Sequence, residues 1–459
     1  MGDITTELAE IVGPANVLTG DAINDDYTHD EALHAPPQRP VCVVKPAGTD
    51  QVAAVVRLAA AQGIPLTARG SGTGLSGACI PRADGILVSF ERMAAVLEID
   101  TGNHVAVVQP GVTLRELDDA TTAHGLVYPV FPGENSASLG GNVATNAGGM
   151  RAIKYGVTRH QVLGLTAVLG TGEIVRTGGR FVKATSGYDL TQLIIGSEGT
   201  LAIVTEAILK LYPRAPHATT LLAPFTSLDE VTAAVPRIVG SGVDPMILEY
   251  IDFVSMGGIL NAAGLDLGIP QSIKETALAY LVIVLENRKA DRLDEDIEEV
   301  GNLVSSLGAL DLYVLPSQAG AQLIEARERA FWAAKTAGTN DIIDLVVPRA
   351  ELGRYMKTVT EIAQASGTFI VGCGHVGDGN IHMSVFQADD DVRHRVMHEI
   401  FAAGAAIGGA VSGEHGIGTE KKPYLMALED PTKIDLMRRI KQAFDPAGIL
   451  NPGAIFDPE

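Results

Sequence analysis

The residues best suited to chemistry in this sequence are two histidines and an adjacent acid–base pair. His375 and His382 flank Val376, Gly377, Asp378, Gly379, Asn380 and Ile381. Asp-Gly between extended runs is a strong signal for a two-residue hairpin. With Asp378 and Gly379 at the turn, Gly377 faces Asn380, Val376 faces Ile381 and His375 faces His382. Two imidazoles then share one face, about 5 Å apart at Cβ. Neutral imidazoles at that separation suit a divalent metal, and a carboxylate from elsewhere would complete a His2Glu set with open coordination positions. Glu414 is the candidate, because residues 411–418 read Val-Ser-Gly-Glu-His-Gly-Ile-Gly and the flanking glycines let the backbone enter a crowded site. Neighbours in an extended segment point in opposite directions, so Glu414 and His415 divide the work, one toward metal and the other toward substrate. The spacing alone also fits an ordinary hairpin with two half-exposed histidines. His394 and His398 have the i,i+4 spacing of metal ligands, but they lie opposite Val392, Val396 and Ile400 on a helical wheel and read as a solvated face.

A second group of residues offers backbone rather than side-chain chemistry. Gly72, Gly74 and Gly77 satisfy GxGxxG within residues 64–77. Such a loop exposes successive N–H groups able to cradle a pyrophosphate. A dinucleotide site of the Rossmann type also needs a helix opening inside the loop and an acid about 20 positions on. Glu91 has the spacing, but residues 78–85, with Pro81 and Gly85, cannot supply the helix, so NAD is rejected. A surface turn is the bland alternative. Residues 131–149 repeat the composition, with Pro132, Gly133, Glu134, Ser138, Gly141, Asn142, Asn146 and Gly149 again offering backbone donors beside small polar side chains. Two such loops in one domain point to one large, phosphate-containing ligand.

The elements that must position these groups are legible in outline. With 459 residues and 46% apolar content, the chain can bury two or three domain cores. A net charge of −21 argues against a nucleic-acid partner, since phosphate binding rests on clustered Lys and Arg. Cys42, Cys79 and Cys373 are too dispersed for an iron–sulfur site, and the chain reads as reduced and cytoplasmic. No run approaches the ~20 apolar residues of a membrane span, so any membrane attachment is expected to be peripheral, through a partner. Residues 41–44 and 86–88 read as strands, and 49–62 as an amphipathic helix beginning at a Thr cap. No helix pattern survives in 132–149, which reads as ordered loop. Beyond 214 the helical patterns lengthen, separated by strands at 280–285 and 368–371. The fold class is α+β, divided into 1–214, 215–424 and a closing segment 425–459, whose Pro-rich end at 445–453 cannot be a regular element and packs back over the molecule.

These motifs together resemble the FAD-linked oxidases of the vanillyl-alcohol-oxidase type, with a PCMH-type FAD-binding domain, in the branch of D-lactate, glycolate and D-2-hydroxyglutarate dehydrogenases. The likeness runs from Pro46 through Arg69-Gly70-Ser71-Gly72-Thr73-Gly74, the 132–149 loop, Ser186-Gly187-Tyr188-Asp189-Leu190 and Gly196-Ser197-Glu198-Gly199-Thr200, to Asn451-Pro452-Gly453. It implies a two-subdomain FAD-binding domain followed by a substrate domain with an antiparallel sheet, and a C-terminal segment returning near the flavin. Arg69 to Leu75 would hold the FAD pyrophosphate, the 132–149 loop would run beside the flavin, Glu198 to Ile203 would lie near the adenosine half, and Asn451 would join the cofactor site. No histidine interrupts either loop, which implies noncovalent FAD. His375, His382 and Glu414 match metal ligands, with zinc first and manganese or iron as alternatives, and His415 matches the catalytic base. Arg327 matches an arginine that grips the substrate carboxylate; its spacing among Glu325, Glu328 and Arg329 equally fits a surface helix charge. The implied reaction is oxidation of a 2-hydroxy acid to the 2-oxo acid. The metal would bind the hydroxyl and carboxylate oxygens, His415 would take the hydroxyl proton, and hydride would pass to flavin N5. Phe331, Ser384 and Ile342 stand where the D-2-hydroxyglutarate pattern has polar groups, which favours D-lactate, glycolate or a more apolar acid. D-2-hydroxyglutarate oxidation and a noncatalytic FAD-binding subunit are the alternatives within the family; a metal-dependent hydrolase is the alternative outside it. Electrons would leave through a separate acceptor, whether partner subunit, quinone or soluble carrier, and a homodimer is left open.

Overall fold

The computed structural model describes residues 4–457 and builds them around three substantial sheets. A four-stranded sheet takes the order Val17–Thr19, Cys42–Val44, Ile86–Ser89, Leu66–Arg69, with the last two pairings parallel. Its inner strands are buried on both faces, as continuous apolar runs require. The helix Thr49–Gln62 covers one face through Val52, Val55, Val56 and Ala59. This helix has the predicted bounds but a different start. Gly48 is the N-cap and no side chain caps it, while Thr49 Oγ1 instead donates to Thr205 Oγ1 at 3.0 Å, tying the helix to the next sheet. That second sheet is antiparallel, in the order Val96–Asp100, Val105–Val108, Ala202–Lys210, Val162–Leu169, Ile174–Gly178.

Residues 132–149 are not loop throughout, as the glycine density predicts. Leu139–Thr145 is a helix, capped by Ser138, whose Oγ accepts from Gly141 N–H, and closed by Asn146 in the left-handed region at φ 54°. Two glycines should weaken a helix, but Leu139 and Val143 are buried in the core of the antiparallel sheet, and Gly140 lies so close to Pro110 that a Cβ would collide with it. Packing outweighs propensity here.

The third sheet holds seven antiparallel strands, in the order Tyr313–Leu315, His217–Phe225, Ala279–Asn287, Ile247–Asp252, Phe369–Gly374, Asn380–Phe386, Asp341–Val346. Successive side chains serve opposite faces. Leu281, Ile283 and Leu285 pack toward the helices Leu228–Ser241, Ala290–Ser306, Leu352–Ser366 and Asp390–Ala406, while Tyr280 and Val282 pack toward Phe253–Ala263 and Ser317–Glu328. His394 and His398 lie on the exposed side of their helix, as their wheel position predicts. No helix among the described residues is long and apolar enough to cross a membrane.

The hairpin carrying the two histidines differs in register from the two-residue turn expected at Asp378 and Gly379. Cys373, not His375, lies opposite His382, and residues 375–379 form the connection. Contacts from elsewhere override the local turn signal. Val376 is buried in the core, Gly377 N–H donates to the Leu248 carbonyl, and Gly379, at φ 89°, sits too close to the Val347 carbonyl for any Cβ. The imidazoles still meet, their ring centroids 4.8 Å apart.

The closing segment carries the helix Pro431–Phe444, and only its end, residues 445–457, is irregular and returns to the first sheet. Leu66 N–H donates to the Ile449 carbonyl and Asn451 N–H to the Leu66 carbonyl, each at 2.8 Å, so residues 449–451 lie along the edge of the strand that leads into the glycine-rich loop.

Candidate active site

The strand Leu66–Arg69 delivers the glycine-rich segment to a cavity at the junction of the sheets. Gly70, Ser71, Gly72, Thr73, Gly74 and Leu75 line one side; Pro132, Glu134, Ser138, Gly141 and Asn142 line another; Glu198 and Ile203 close a third. The two loops are clasped by reciprocal bonds: Ser138 N–H donates to Ser71 Oγ at 2.9 Å and Ser71 N–H to Ser138 Oγ at 3.3 Å. This clasp leaves no room at Gly70, where a Cβ would collide with Ser138 Oγ. Gly70→Ala is therefore expected to cost about 1–3 kcal/mol of stability by overpacking and to lower the flavin content, read from thermal denaturation and the visible-to-ultraviolet absorbance ratio. Asn142 Nδ2 is buried beside the cavity with no hydrogen-bond partner, a polar donor left for a ligand that the protein itself does not supply. A cavity walled by backbone N–H groups and small side chains fits FAD.

Five residues of the predicted set do not line this cavity. The Arg69 guanidinium turns away to donate to the His29 carbonyl at 2.6 Å. Asn146 ends the helix and accepts the Arg159 N–H; Gly149, at φ 108°, presses its backbone against Phe131. Asn451 braces the loops by donating to the carbonyls of Ala78 and Glu198, both at 2.7 Å. Gly133 faces the neighbouring cavity instead. Glu198 has a second task. Its carboxylate accepts the N–H groups of Ile417 and Gly418, both at 2.7 Å, which fastens the segment after His415 to the glycine-rich cavity, and burial pushes its pKa up to about 7.

The neighbouring cavity, of about 430 Å³, holds His375, His382, Glu414, His415 and Arg327 together at one end. The nitrogens of His375 and His382 and a Glu414 oxygen all lie within 4.8 Å of one another. Glu414 Oε1 is 3.3 Å from His375 Nε2 and 3.2 Å from His382 Nε2, yet His382 Nε2 makes no hydrogen bond there. Three donor atoms that converge without fully satisfying one another fit a divalent ion, and the N,N,O set is one that zinc, manganese or iron accepts. Asp344, His382 and His415 form a second such cluster. Its carboxylate is already committed, because Asp344 accepts from Ser412 Oγ, from the N–H groups of Gly413, Glu414 and His415, and from Lys421 Nζ. Burial pushes Asp344 up, but the Lys421 ammonium at 3.0 Å and the hydrogen bond from Ser412 outweigh it and hold the carboxyl well below its usual range.

Asp344 and Glu249 are the functional residues that sequence reasoning misses. Glu249 is wholly buried, binds His375 Nδ1 and lies 2.8 Å from Arg327 Nη2. A carboxylate on the far nitrogen of a metal-binding histidine fixes its tautomer and aims the other nitrogen. The available signal was one acid inside an apolar strand: Ile247-Leu248-Glu249-Tyr250-Ile251 and Ile342-Ile343-Asp344-Leu345. Arg327 is buried rather than a surface charge, and its Nε and Nη2 make no hydrogen bond. His415 stacks on His382 with centroids 5.0 Å apart and lines both cavities; burial pushes its pKa down to about 3, so the ring is neutral.

Comparison with known proteins identifies the two domains. Residues 40–178 match the FAD binding domain model, and 214–455 match that of the FAD linked oxidases, C-terminal domain. The chain is 58% identical over 99% of both chains to an FAD-linked oxidoreductase of Mycobacterium tuberculosis whose activity is uncharacterised. It is 37% identical to a D-lactate dehydrogenase of Anaerostipes hadrus, over 98% of each chain. A glycolate oxidase subunit of Bacillus subtilis is 36% identical, over 99% of this chain and 97% of its own. Among solved structures, p-cresol methylhydroxylase shares the fold, with a TM-score of 0.81 at 19% identity, covering 99% of this chain and 96% of that one. The chain belongs to the FAD-linked oxidases, and it is an FAD-dependent oxidoreductase of the branch that includes the D-lactate, glycolate and D-2-hydroxyglutarate dehydrogenases.

Proposed function

We propose that the protein oxidises a small D-2-hydroxy acid, of the D-lactate or glycolate type, to the 2-oxo acid, at a divalent-metal centre held by His375, His382 and Glu414 and beside noncovalently bound FAD. The observation that carries the reading is the convergence of those three donors with His415 and Arg327 in one cavity that adjoins the glycine-rich one. When bound, FAD supplies a two-electron acceptor and the metal ion a Lewis acid that lowers the pKa of the substrate hydroxyl.

The chain's own residues do the rest. Arg327, whose Nε is buried without a partner while Nη2 rests 2.8 Å from Glu249, grips the substrate carboxylate, and a planar guanidinium suits that bidentate task. His415, neutral and next in sequence to Glu414, takes the hydroxyl proton. Glu249 orients both His375 and Arg327, so that the metal-binding and carboxylate-binding groups share one buried anchor. A separate acceptor then removes the electrons.

Anaerobic mixing with a panel of D- and L-2-hydroxy acids tests the reading. The D-acids are expected to bleach the flavin, and chelation should abolish bleaching until a divalent ion is restored. Full bleaching by protein shown to be metal-free would sink the metal role, and bleaching by none of the acids would sink the substrate class.

A further inference from the structure

The metal-binding end occupies only part of its cavity. The remainder runs along two paired strands. Residues directly opposite one another, Phe369 and Phe386, Val371 and Ser384, Cys373 and His382, all face it. From Cys373 to Phe369 is four residues, about 13 Å at ~3.3 Å per residue. Only Ser384 is polar along this floor between His382 and the rim. Val254, Ile259 and Ile342 wall the same space, and the rim is apolar and open to solvent, with Phe369 54% and Val254 48% exposed. A dry cavity of about 150 Å³ holds benzene, which has as many heavy atoms as lactate. The cavity here measures about 430 Å³, the end lined by His375, His382, Glu414, His415 and Arg327 included. No basic residue lines the trench beyond the Arg327 end to receive a second carboxylate.

We propose that the protein's preferred substrate is a 2-hydroxy acid whose C2 substituent is an extended alkyl chain, with its head at His382 and Arg327 and its tail along the trench toward Phe369 and Phe386. This rests on the hydroxy-acid reading for the head and replaces the small D-lactate or glycolate type with a longer-tailed acid as the preferred substrate. A short acid leaves the trench to water against apolar walls, whereas each methylene that replaces that water adds about fourfold in affinity, equivalent to ~0.8 kcal/mol.

The test is a D-2-hydroxy acid series of three, four, six and eight carbons with the FAD-loaded protein and an artificial electron acceptor. The value of kcat/KM is expected to climb from lactate to 2-hydroxyoctanoate by up to about fourfold per methylene. Gly258→Leu should cut the octanoate-to-lactate ratio at least tenfold, because Gly258 lines the trench where an added Cβ meets nothing within 4 Å. Leucine is also the better helix former, so the fold should survive. Binding supplies a readout that needs no turnover. Trp332, the only tryptophan in the chain, contacts Phe331 at the cavity wall, with ring centroids 5.1 Å apart. Its fluorescence should report octanoate binding at least tenfold tighter than propanoate. Lactate turning over as well as 2-hydroxyoctanoate would overturn the tail and leave the reaction standing. Failure of every acid to reduce the flavin would overturn the reaction, and equal binding of octanoate and propanoate would overturn the trench whatever the activity.

Discussion

Replacing His415 with asparagine is expected to leave FAD bound while slowing substrate-driven flavin reduction roughly 10²–10⁴-fold, the range over which a positioned general base contributes. The ring belongs to the reacting end of both cavities and makes no hydrogen bond to the anchors of its loop, its nearest approach being Nδ1 to Asp344 at 3.8 Å. That loop is fixed by backbone groups: His415 N–H to Asp344 at 2.9 Å, and Ile417 and Gly418 N–H to Glu198. Asparagine keeps much of the volume and lacks a base. Stopped-flow anaerobic reduction reads the loss, and an unchanged melting temperature and flavin content show that it is not one of folding. Reduction at the wild-type rate would remove His415 from the chemistry.

Asp344→Ala should produce the largest loss of stability, about 3–5 kcal/mol, the cost of stripping one partner from a buried ion pair. Lys421, 5% exposed, would keep its charge with no counterion at 3.0 Å, and the N–H groups of Gly413, Glu414 and His415 would lose their acceptor together. Denaturant titration measures the cost. Adding Lys421→Met should recover part of it, since the buried cation is then gone; no recovery would place the damage in the loop backbone instead. The double variant should still lack activity, because the loop that presents Glu414 and His415 has lost its anchor.

What was legible in the sequence follows from how far each determinant reaches. The strands at 86–88 and 280–285 and the helix at 49–62 follow from local patterns. The two loops, the two histidines and the Glu414–His415 pair stand out because glycine and histidine are conspicuous residue types. Register was less visible. Asp378 and Gly379 announce a turn, but the burial of Val376 and the Leu248 carbonyl decide where it falls. Glycines at 140 and 141 argue against a helix that packing on Pro110 and the neighbouring sheet enforces. Glu249 and Asp344 read as stray acids in apolar strands, since the groups that explain them lie far along the chain; Glu249 is 126 positions from His375.

The return of residues 449–451 to the strand beneath the glycine-rich loop sets an order of events during biosynthesis. Asn451 reaches back across 373 positions to hold Ala78, an interval that a ribosome working at ~5–20 residues per second needs roughly 20–75 s to traverse. Throughout that time the glycine-rich loop lacks its brace, and until residue 418 is made the loop bearing Glu414 and His415 cannot dock on Glu198. The glycine-rich loop thus gains the Asn451 brace only after the rest of its walls, 70–75, 132–142 and 198–203, have been made.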